Sequence, residues 1–198
     1  GTTGGGTSVN ISGTNFTVAT AVKFGATNAT NFTVNSATQI TATSPAGSTG
    51  VVDVTVTNGG GTSTTSAADR FTYVLPPTAG PTSITVAHGS TNNHATVDVT
   101  GATSVAVGTQ PTHGTATVSG GSITYTPNPS YSGMDSFTYT ASNAGGTTAP
   151  ATITVTVSNA TVNYAPSSPA GGTVGAAYSQ SLASASGGTA PYTYKIGI

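Results

Sequence analysis

Four short runs of alternating apolar and polar residues lie between His113 and Ser158, and they constrain the fold more than any other feature of the chain. Each run ends at Gly, Pro or Asn residues; they are Thr115–Val118, Ser122–Thr126, Asp135–Ser142 and Ala151–Ser158. Because successive side chains of a strand point to opposite faces, Phe137, Tyr139 and Ala141 share one face. Regular apolar faces separated by turn residues predict an all-β chain folded as antiparallel sandwiches.

The amino-acid composition excludes some classes of function. Of 198 residues only 4% are charged, Glu is absent, and the net charge is −1. This balance excludes the basic surface that a nucleic-acid-binding protein needs. Disordered chains combine low hydrophobicity with high net charge, and this chain has neither, so we interpret it as folded.

The absence of cysteine excludes disulfides and thiolate metal sites. A surface of Thr, Ser and Asn in place of Lys and Glu is typical of secreted bacterial proteins, and small eukaryotic extracellular domains usually carry disulfides. We therefore expect an extracellular location, on a bacterial cell surface or secreted. No run approaches the ~20 apolar residues of a membrane helix, so we expect no membrane insertion. No signal peptide is recognisable at Gly1, and we interpret the sequence as a piece or repeat of a longer chain.

A first module is predicted from Gly1 to about Leu75. After the glycine-rich start Gly1–Gly6, which cannot stand alone as a strand, strand-like runs follow at short intervals: Thr7–Ser12, Ala21–Phe24, Phe32–Val34, Gln39–Thr43, Val51–Thr57 and Phe71–Val74. Apolar residues do not recur at helical spacing over three turns, so almost no helix is expected.

Five segments of this module occur in the order found in a known family: G-G-G-T-S-V-N-I-S-G-T-N-F, A-V-K-F-G, T-Q-I-T-A-T-S-P-A-G, V-D-V-T-V-T-N and D-R-F-T-Y-V. Residues 1–75 thus resemble the IPT/TIG module, an immunoglobulin-like domain of bacterial surface proteins, receptors and transcription factors. Members usually begin with an extra strand before G-G-G-T. The resemblance therefore implies that the first strand is missing, so that a preceding segment supplies it or one edge stays open.

The segment Leu75–Pro81 is predicted to be a linker. Its prolines favour polyproline II and should keep it out of sheet pairing, which indicates a semi-rigid spacer. The second module, residues 79–158, adds runs at Ser83–Ala87, Ala95–Thr100 and Ser104–Val107 to the four given first. Its segments P-T-H-G-T-A-T and I-T-Y-T-P-N-P-S-Y-S-G-M-D-S-F-T-Y-T-A-S-N resemble the cadherin-like and bacterial Ig-like tandem repeats of large surface adhesins.

Both modules contain the motif D-x-F-T-Y, beginning at Asp69 and at Asp135. A short acceptor before a strand can accept bonds from backbone N–H groups of a turn, so we assign both carboxylates a turn-fixing role. The two aromatic residues that follow should fill the core of each module.

A second linker is predicted at Asn159–Asn163, followed by the start of a third module at residues 164–198. Its segments V-G-A-A-Y-S-Q-S-L and G-G-T-A-P-Y-T-Y resemble the putative-Ig repeat of bacterial surface proteins. About 35 residues are too few for a self-sustaining sandwich, so this module is expected to be incomplete. Two interpretations stay open. The unit is one period of a fibre whose open edges are completed by a neighbour, or it is a fragment of a longer chain.

No pattern of catalytic or metal-binding residues is found. The acidic residues Asp53, Asp69, Asp98 and Asp135 are isolated from one another, whereas calcium needs six to eight oxygens, usually from clustered carboxylates. The three histidines, His88, His94 and His113, lack the spacing of a zinc site and are expected in exposed loops. A Ser–His–Asp triad is not readable from sequence order, but no nucleophile elbow occurs. We expect no catalytic, cofactor-binding or metal-binding residues, and no cofactor.

The function predicted from these features is structural: a stalk, spacer or fibre segment of a bacterial surface or secreted adhesin-like protein, and not an enzyme. The expected partners are neighbouring modules of the same chain or identical subunits, joined by strand-edge pairing. The alternative is a carbohydrate-binding accessory module, for which a cell-surface or carbohydrate ligand would stack on exposed aromatic rings. Tyr178, Tyr192 and Tyr194 are candidates for such rings, although their alternation favours core positions.

Overall fold

The computed structural model describes residues 1–161 and 174–175, so all of the predicted third module except residues 174–175, and the end of its linker, lie outside the described residues. The described chain is built from β-strands and two short 3-10 helices, and the predicted all-β class is confirmed. Neither helix is long or apolar enough to cross a membrane.

The first module forms two sheets. Its strands are β1 (Ser8–Ser12), β2 (Ala19–Phe24), β3 (Thr27–Asn28), β4 (Asn31–Ser36), β5 (Gln39–Thr43), β6 (Gly50–Asn58), β7 (Gly61–Thr62) and β8 (Arg70–Tyr73), with 3-10 helices at Phe16–Val18 and Ala67–Asp69. One sheet has the order β1-β5-β4; in the other, β2 pairs with β3 and β6, and β6 also pairs with β7 and β8. Residues such as Ile40 and Val22, both at most 1% exposed, fill the space between them.

The second module repeats this plan with more strands. They are β9 (Thr78–Gly80), β10 (Thr82–Val86), β11 (Asn93–Ala95), β12 (Asp98–Thr100), β13 (Ser104–Val107), β14 (Gly114–Ser119), β15 (Ser122–Pro127), β16 (Gly133–Asn143), β17 (Gly146–Thr147) and β18 (Ala151–Val157). A sheet of order β10-β18-β16-β13 faces one of order β11-β15-β14, and β9 pairs with β12. All strand pairs are antiparallel except β10 with β18, which run parallel over five residue pairs.

The core of the second module follows the predicted alternation. Along β15, Ile123 and Tyr125 are completely buried while Thr124 and Thr126 are half-buried on the other face. The rings of Tyr125 and Phe137 lie parallel with centroids 6.1 Å apart. The expectation that the aromatic residues of D-x-F-T-Y fill the core is therefore met here, and Tyr73 is likewise buried in the first module.

Two sequence predictions about pairing are wrong. The linker was expected to stay out of the sheets, but Thr78–Gly80 pairs with Asp98–Thr100, because these three residues keep the N–H groups that the neighbouring prolines lack. The run Ala95–Thr100 was expected to be one strand, but it divides into β11, which pairs with β15, and β12, which pairs with β9. Alternation specifies the face of a residue and leaves its partner strand undetermined.

The glycine-rich start of the chain is held against the end of β8. A parallel bridge joins Thr2 to Val74. The Val74 nitrogen donates to the Gly1 carbonyl at 2.8 Å, and the Thr3 nitrogen donates to the Val74 carbonyl at 3.1 Å. Gly1–Thr3 thus occupies the position of a first strand, but only beside the last residue or two of the module's final strand.

The two modules are joined by direct contacts at the linker. The side-chain nitrogen of Asn143 donates to the Leu75 carbonyl at 2.9 Å and to the Gly101 carbonyl at 2.7 Å. A Cβ atom added to Gly145 would lie 2.5 Å from the Val74 carbonyl oxygen, so the linker backbone packs directly on this turn of the second module. Residues 74 and 75 are therefore held against the second module by a hydrogen bond and by close backbone packing.

Candidate functional site: an open strand edge and groove in the first module

The outer edge of β8 is only partly paired within the described residues. The Gly1 nitrogen donates to the Thr72 carbonyl at 2.7 Å. Because the N–H and C=O of one strand residue point to the same side, the Thr72 N–H and the backbone groups of Arg70 face this edge too. Among the described residues, none pairs with Arg70 on this side of β8.

A groove of about 630 Å³ opens beside this edge, between β1 and the sheet that contains β6 and β8. Its floor is apolar: Val9 and Ile11 come from β1, Val54 and Val56 from β6, and Phe71 from β8. Val9, Ile11 and Phe71 are only half-buried. The groove is thus a gap in the core that leaves apolar side chains partly in solvent.

In the second module the equivalent position is filled. There β10 runs parallel to the final strand β18, with Thr82 beside Ile153 and Val86 beside Val157. Val86 is 6% exposed and belongs to the core, and Ile153, Val155 and Val157 are at most 2% exposed.

The polar side chains at the rim of the groove form hydrogen bonds within their own turn. Both carboxylate oxygens of Asp69 accept from the Ser66 backbone nitrogen, at 2.9 and 3.0 Å, and the Ser66 hydroxyl accepts from the Ala68 nitrogen at 3.2 Å. This capping box fixes the turn that leads into β8. The turn-fixing role predicted for Asp69 therefore agrees with its contacts, and its carboxylate is occupied by this turn.

Asp135 bonds to a more distant loop than its sequence position suggested. It lies within β16, is 7% exposed, and accepts from the Thr112 and His113 nitrogens at 3.2 and 3.0 Å. It also accepts from the Ser136 nitrogen at 2.9 Å and from the Tyr125 hydroxyl at 2.9 Å. Asp135 therefore ties the loop before β14 to β15 and β16.

The pKa values of three buried tyrosines are raised. Burial raises the pKa of Tyr125 well above its ordinary value, and the neighbouring Asp135 carboxylate raises it further. Burial also raises the pKa values of Tyr73 and Tyr139. The Tyr139 hydroxyl donates to the Gly80 carbonyl at 2.7 Å and accepts from the Asp98 nitrogen at 3.1 Å, and the Tyr73 hydroxyl donates to the Pro45 carbonyl at 2.9 Å. These hydroxyls link strands to neighbouring loops.

The histidines were all expected in exposed loops, and this is wrong for two of them. His94 is exposed but lies in β11. His88 lies in the turn after β10 and is half-buried, and its Nε2 atom is buried without a hydrogen-bond partner among the described residues. His113 is exposed as expected, and its ring stacks on that of Tyr131 with centroids 4.1 Å apart.

Across the described residues, no group of three or more His, Cys, Asp or Glu side chains could hold a metal ion. Tyr178, Tyr192 and Tyr194 lie outside the described residues, so their predicted roles stay predictions. The hydrogen bond from the Asn143 side chain to the Leu75 carbonyl escaped sequence reasoning, because the two residues lie 68 positions apart in the chain.

Two family models match the chain. The one described as IPT/TIG domain matches residues 1–73, and the one described as bacterial Ig domain matches residues 74–156. Their order agrees with the resemblances drawn from the sequence, which are thereby confirmed for the first two modules. No curated protein matches the chain at a significant level.

Several solved structures are similar to the chain. One is SGBP-B from the mixed-linkage glucan utilization locus of Bacteroides ovatus, in complex with mixed-linkage heptasaccharide, with 20% identity over 80% of this chain and 44% of that chain and a TM-score of 0.32. Another is the endo-fucoidan hydrolase MfFcnA4 from glycoside hydrolase family 107, with 13% identity over 78% of this chain and 27% of that chain and a TM-score of 0.37. InvD of Yersinia pseudotuberculosis has 18% identity over 83% of this chain and 53% of that chain, with a TM-score of 0.25. This chain spans less than half the length of the first two, and at such TM-scores no function is transferred from any of them.

Proposed function

The chain belongs, over residues 1–156, to the IPT/TIG and bacterial Ig domain families, and from this premise we propose that it is a load-bearing structural segment of a bacterial surface or secreted adhesin-like protein. It acts as a stalk, spacer or fibre subunit in an extracellular location. The two sandwiches of residues 1–75 and 79–158 are its mechanical units, and its partners are neighbouring modules or identical subunits. It carries no catalytic activity.

The observation that carries this proposal is the parallel pairing of β10 with β18. The chain enters the second module at Thr82 and leaves it at Val157, and these residues lie at opposite ends of the ladder. Tension applied through the ends of the module therefore shears the two strands along their length. All the hydrogen bonds of the ladder are then loaded together, whereas a ladder pulled apart from one end breaks bond by bond.

The outward faces of the strands support the same function. Ser83 and Thr85 of β10 and Thr152 and Thr156 of β18 are exposed, and this face of the sheet is neutral and consists mainly of hydroxyl groups, with Met134 also exposed opposite Thr156. Such a face stays hydrated and offers neither the charge that steers a ligand nor the large apolar patch typical of a docking site. A spacer module that must not bind its neighbours sideways needs a surface of this kind.

Single-molecule force spectroscopy tests the proposal through the direction of loading. The chain contains no cysteine, so paired cysteines can define where the force is applied. Force applied at the two ends of the module shears the ladder. Force applied at cysteines introduced by Ala87→Cys and Asn159→Cys, both at exposed positions, separates the two strands from one end. We expect an unfolding force several-fold higher in shear. Equal forces in the two geometries would refute a mechanical role for the ladder.

One observation favours a second candidate, a carbohydrate-binding accessory module. The stacked rings of His113 and Tyr131 lie at one end of the second module, close to Met134, whose side chain is 69% exposed. Exposed aromatic faces of this kind can stack on the apolar face of a sugar. Binding of soluble polysaccharides by the chain, abolished in Tyr131→Ala and retained in Tyr178→Ala, would favour this function over the structural one.

A further inference from the structure

We propose that Asn58 is a site of self-catalysed deamidation, in which the neighbouring Gly59 nitrogen attacks its side-chain amide and water completes the conversion to a carboxylate. The hairpin that carries Asn58 joins β6 to β7 and turns at Gly59 and Gly60. Of the twelve asparagines in the chain, Asn58 alone precedes a glycine. The site lies in the first module, so it is separate from the ladder of the second module that carries the mechanical function.

Both polar atoms of the Asn58 side chain are hydrogen-bonded in the sense that this reaction needs. Its Oδ1 atom accepts from the Gly60 nitrogen at 2.8 Å, and its Nδ2 atom donates to the Asn15 carbonyl at 3.3 Å. When a nucleophile attacks Cγ, negative charge develops on Oδ1, and positive charge develops on Nδ2 as it takes up a proton. The Gly60 N–H therefore stabilises the first charge and the Asn15 carbonyl the second, as oriented dipoles do in enzyme active sites.

The nucleophile is the backbone nitrogen of Gly59. Among the described residues its N–H donates no hydrogen bond, so it can lose its proton to hydroxide. Gly59 is exposed, and a Cβ atom built on it would meet nothing within 4 Å, so ring closure finds no steric obstacle. Because glycine has no side chain, its backbone rotates more freely than that of other residues. Attack within one chain also avoids the entropy cost of bringing two molecules together.

The short hairpin permits the backbone rotation that the attack requires. The strand β7 contributes only two residue pairs, Thr57 with Thr62 and Asn58 with Gly61. Short, exposed pairings of this kind open locally at a small cost in free energy. A groove of about 450 Å³ lies between this hairpin and the loop at Asn15, and Asn58 belongs to its lining. Water therefore reaches the side chain in the folded protein.

The reaction needs no reactant besides water. The deprotonated Gly59 nitrogen forms a bond to Asn58 Cγ, the bond from Cγ to Nδ2 breaks, and the leaving nitrogen takes a proton from water and departs as ammonia. One water molecule then opens the succinimide ring. Attack of this water at Cγ gives an aspartate, whereas attack at the main-chain carbonyl carbon of Asn58 gives an isoaspartate, which lengthens the main chain by a methylene group.

Either product changes the contact between the hairpin and the loop at Asn15. A carboxylate has no hydrogen to donate, so the Asn15 carbonyl loses its hydrogen bond and faces an anionic oxygen. The next residue in this loop is Phe16, whose side chain is 7% exposed and belongs to the core of the first module. We therefore expect deamidation of Asn58 to destabilise the first module.

Timed incubation of the folded full chain in mildly alkaline buffer tests the assignment. Deamidation adds about 1 Da, which peptide mapping by mass spectrometry locates, and an isoaspartyl methyltransferase labels the isoaspartate. We expect Asn58 to react about tenfold or more faster than any other asparagine. Gly59→Ala has room for its methyl group but should slow the reaction about tenfold, because the added Cβ restricts backbone rotation. Asn58→Gln should abolish it, since the larger ring closes much less readily.

Three results would overturn the proposal: an unmodified Asn58, a faster reaction at another asparagine, or equal rates in the wild type and Gly59→Ala. Modification of Asn58 that occurs only in urea would overturn it too, because the folded hairpin would then prevent the reaction.

The expected loss of stability is measured with Asn58→Asp, which carries the aspartate product. Its first module should unfold at a lower urea concentration than that of the wild type, because the donor to the Asn15 carbonyl is gone. Asn128→Asp adds the same charge at an exposed position of the second module and should leave the first module unchanged. An unchanged midpoint in Asn58→Asp would overturn this consequence.

Discussion

The side-chain nitrogen of Asn143, in the second module, donates to the carbonyl oxygen of Leu75, in the linker, at 2.9 Å. The same nitrogen donates to Gly101, and the Asn143 side-chain oxygen accepts from the Gly145 nitrogen at 2.7 Å. One amide therefore connects the linker to two loops of the second module.

These hydrogen bonds of the Asn143 side chain form the Asn143 clamp. We predict that the clamp restricts motion between the two modules and that one substitution at Asn143 increases this motion. Asn143→Ala removes the donor to Leu75, and a hydrogen bond of this kind contributes about 1 kcal/mol. We expect the two modules to share one rotational correlation time in ¹⁵N relaxation of the wild type and to differ in the variant. Asn128→Ala is the matched control, since the exposed Asn128 side chain makes no hydrogen bond within the described residues. Identical relaxation in all three proteins would show that the clamp has no effect on the junction.

We expect the isosteric substitution of Asp135 by Asn to lower the free energy of unfolding substantially. In Asp135→Asn, one acceptor oxygen becomes an NH₂ group that faces the donors of His113 and Tyr125. An unsatisfied buried donor costs about 1–3 kcal/mol, and here more than one is affected, so we expect a loss of about 2–4 kcal/mol in urea unfolding. Asp98→Asn, at an exposed side chain, should change stability by less than about 0.5 kcal/mol. Similar losses in both variants would argue against this role of Asp135.

The buried tyrosines predict a loss of stability in alkali. Burial raises the pKa values of Tyr73, Tyr125 and Tyr139 above the ordinary value of 10.0. Below pH 10 these phenols are neutral in both folded and unfolded chains, so they give no pH dependence there. Above pH 10 the unfolded chain releases protons that the folded chain retains, so the free energy of unfolding falls as pH rises. Urea titrations at about pH 9 and pH 11 measure this; equal midpoints would contradict it.

Much of the fold could be read from the sequence because burial alternates with period two. Tyr125, Tyr139 and Ile153 are completely buried, and each was placed on a core face by its neighbours alone. Alternation carries no information about partner strands, so the division of Ala95–Thr100 and the pairing of Thr78–Gly80 were missed. The predicted boundaries of the modules and the content of residues 164–198 stay predictions.

The candidate site was less accessible to sequence reasoning. The family pattern indicated a missing first strand, but the position of the groove depends on contacts between β1, β6 and β8 that lie far apart in the chain. Asp135 was assigned to its own turn, whereas its carboxylate bonds to residues 112 and 113. Hydrogen bonds of this range depend on how the sheets pack, which no local pattern records.

The most direct test of the mechanical account is the extension of the whole chain between its ends by atomic force microscopy. The second module has five parallel residue pairs between its terminal strands and the first has one bridge between Thr2 and Val74. We therefore predict separate unfolding events, with contour-length gains that stay below about 27 nm for the first module and below about 29 nm for the second. The longer gain should occur at the higher force. Extension of the second module at a force no greater than that of the first would contradict the account.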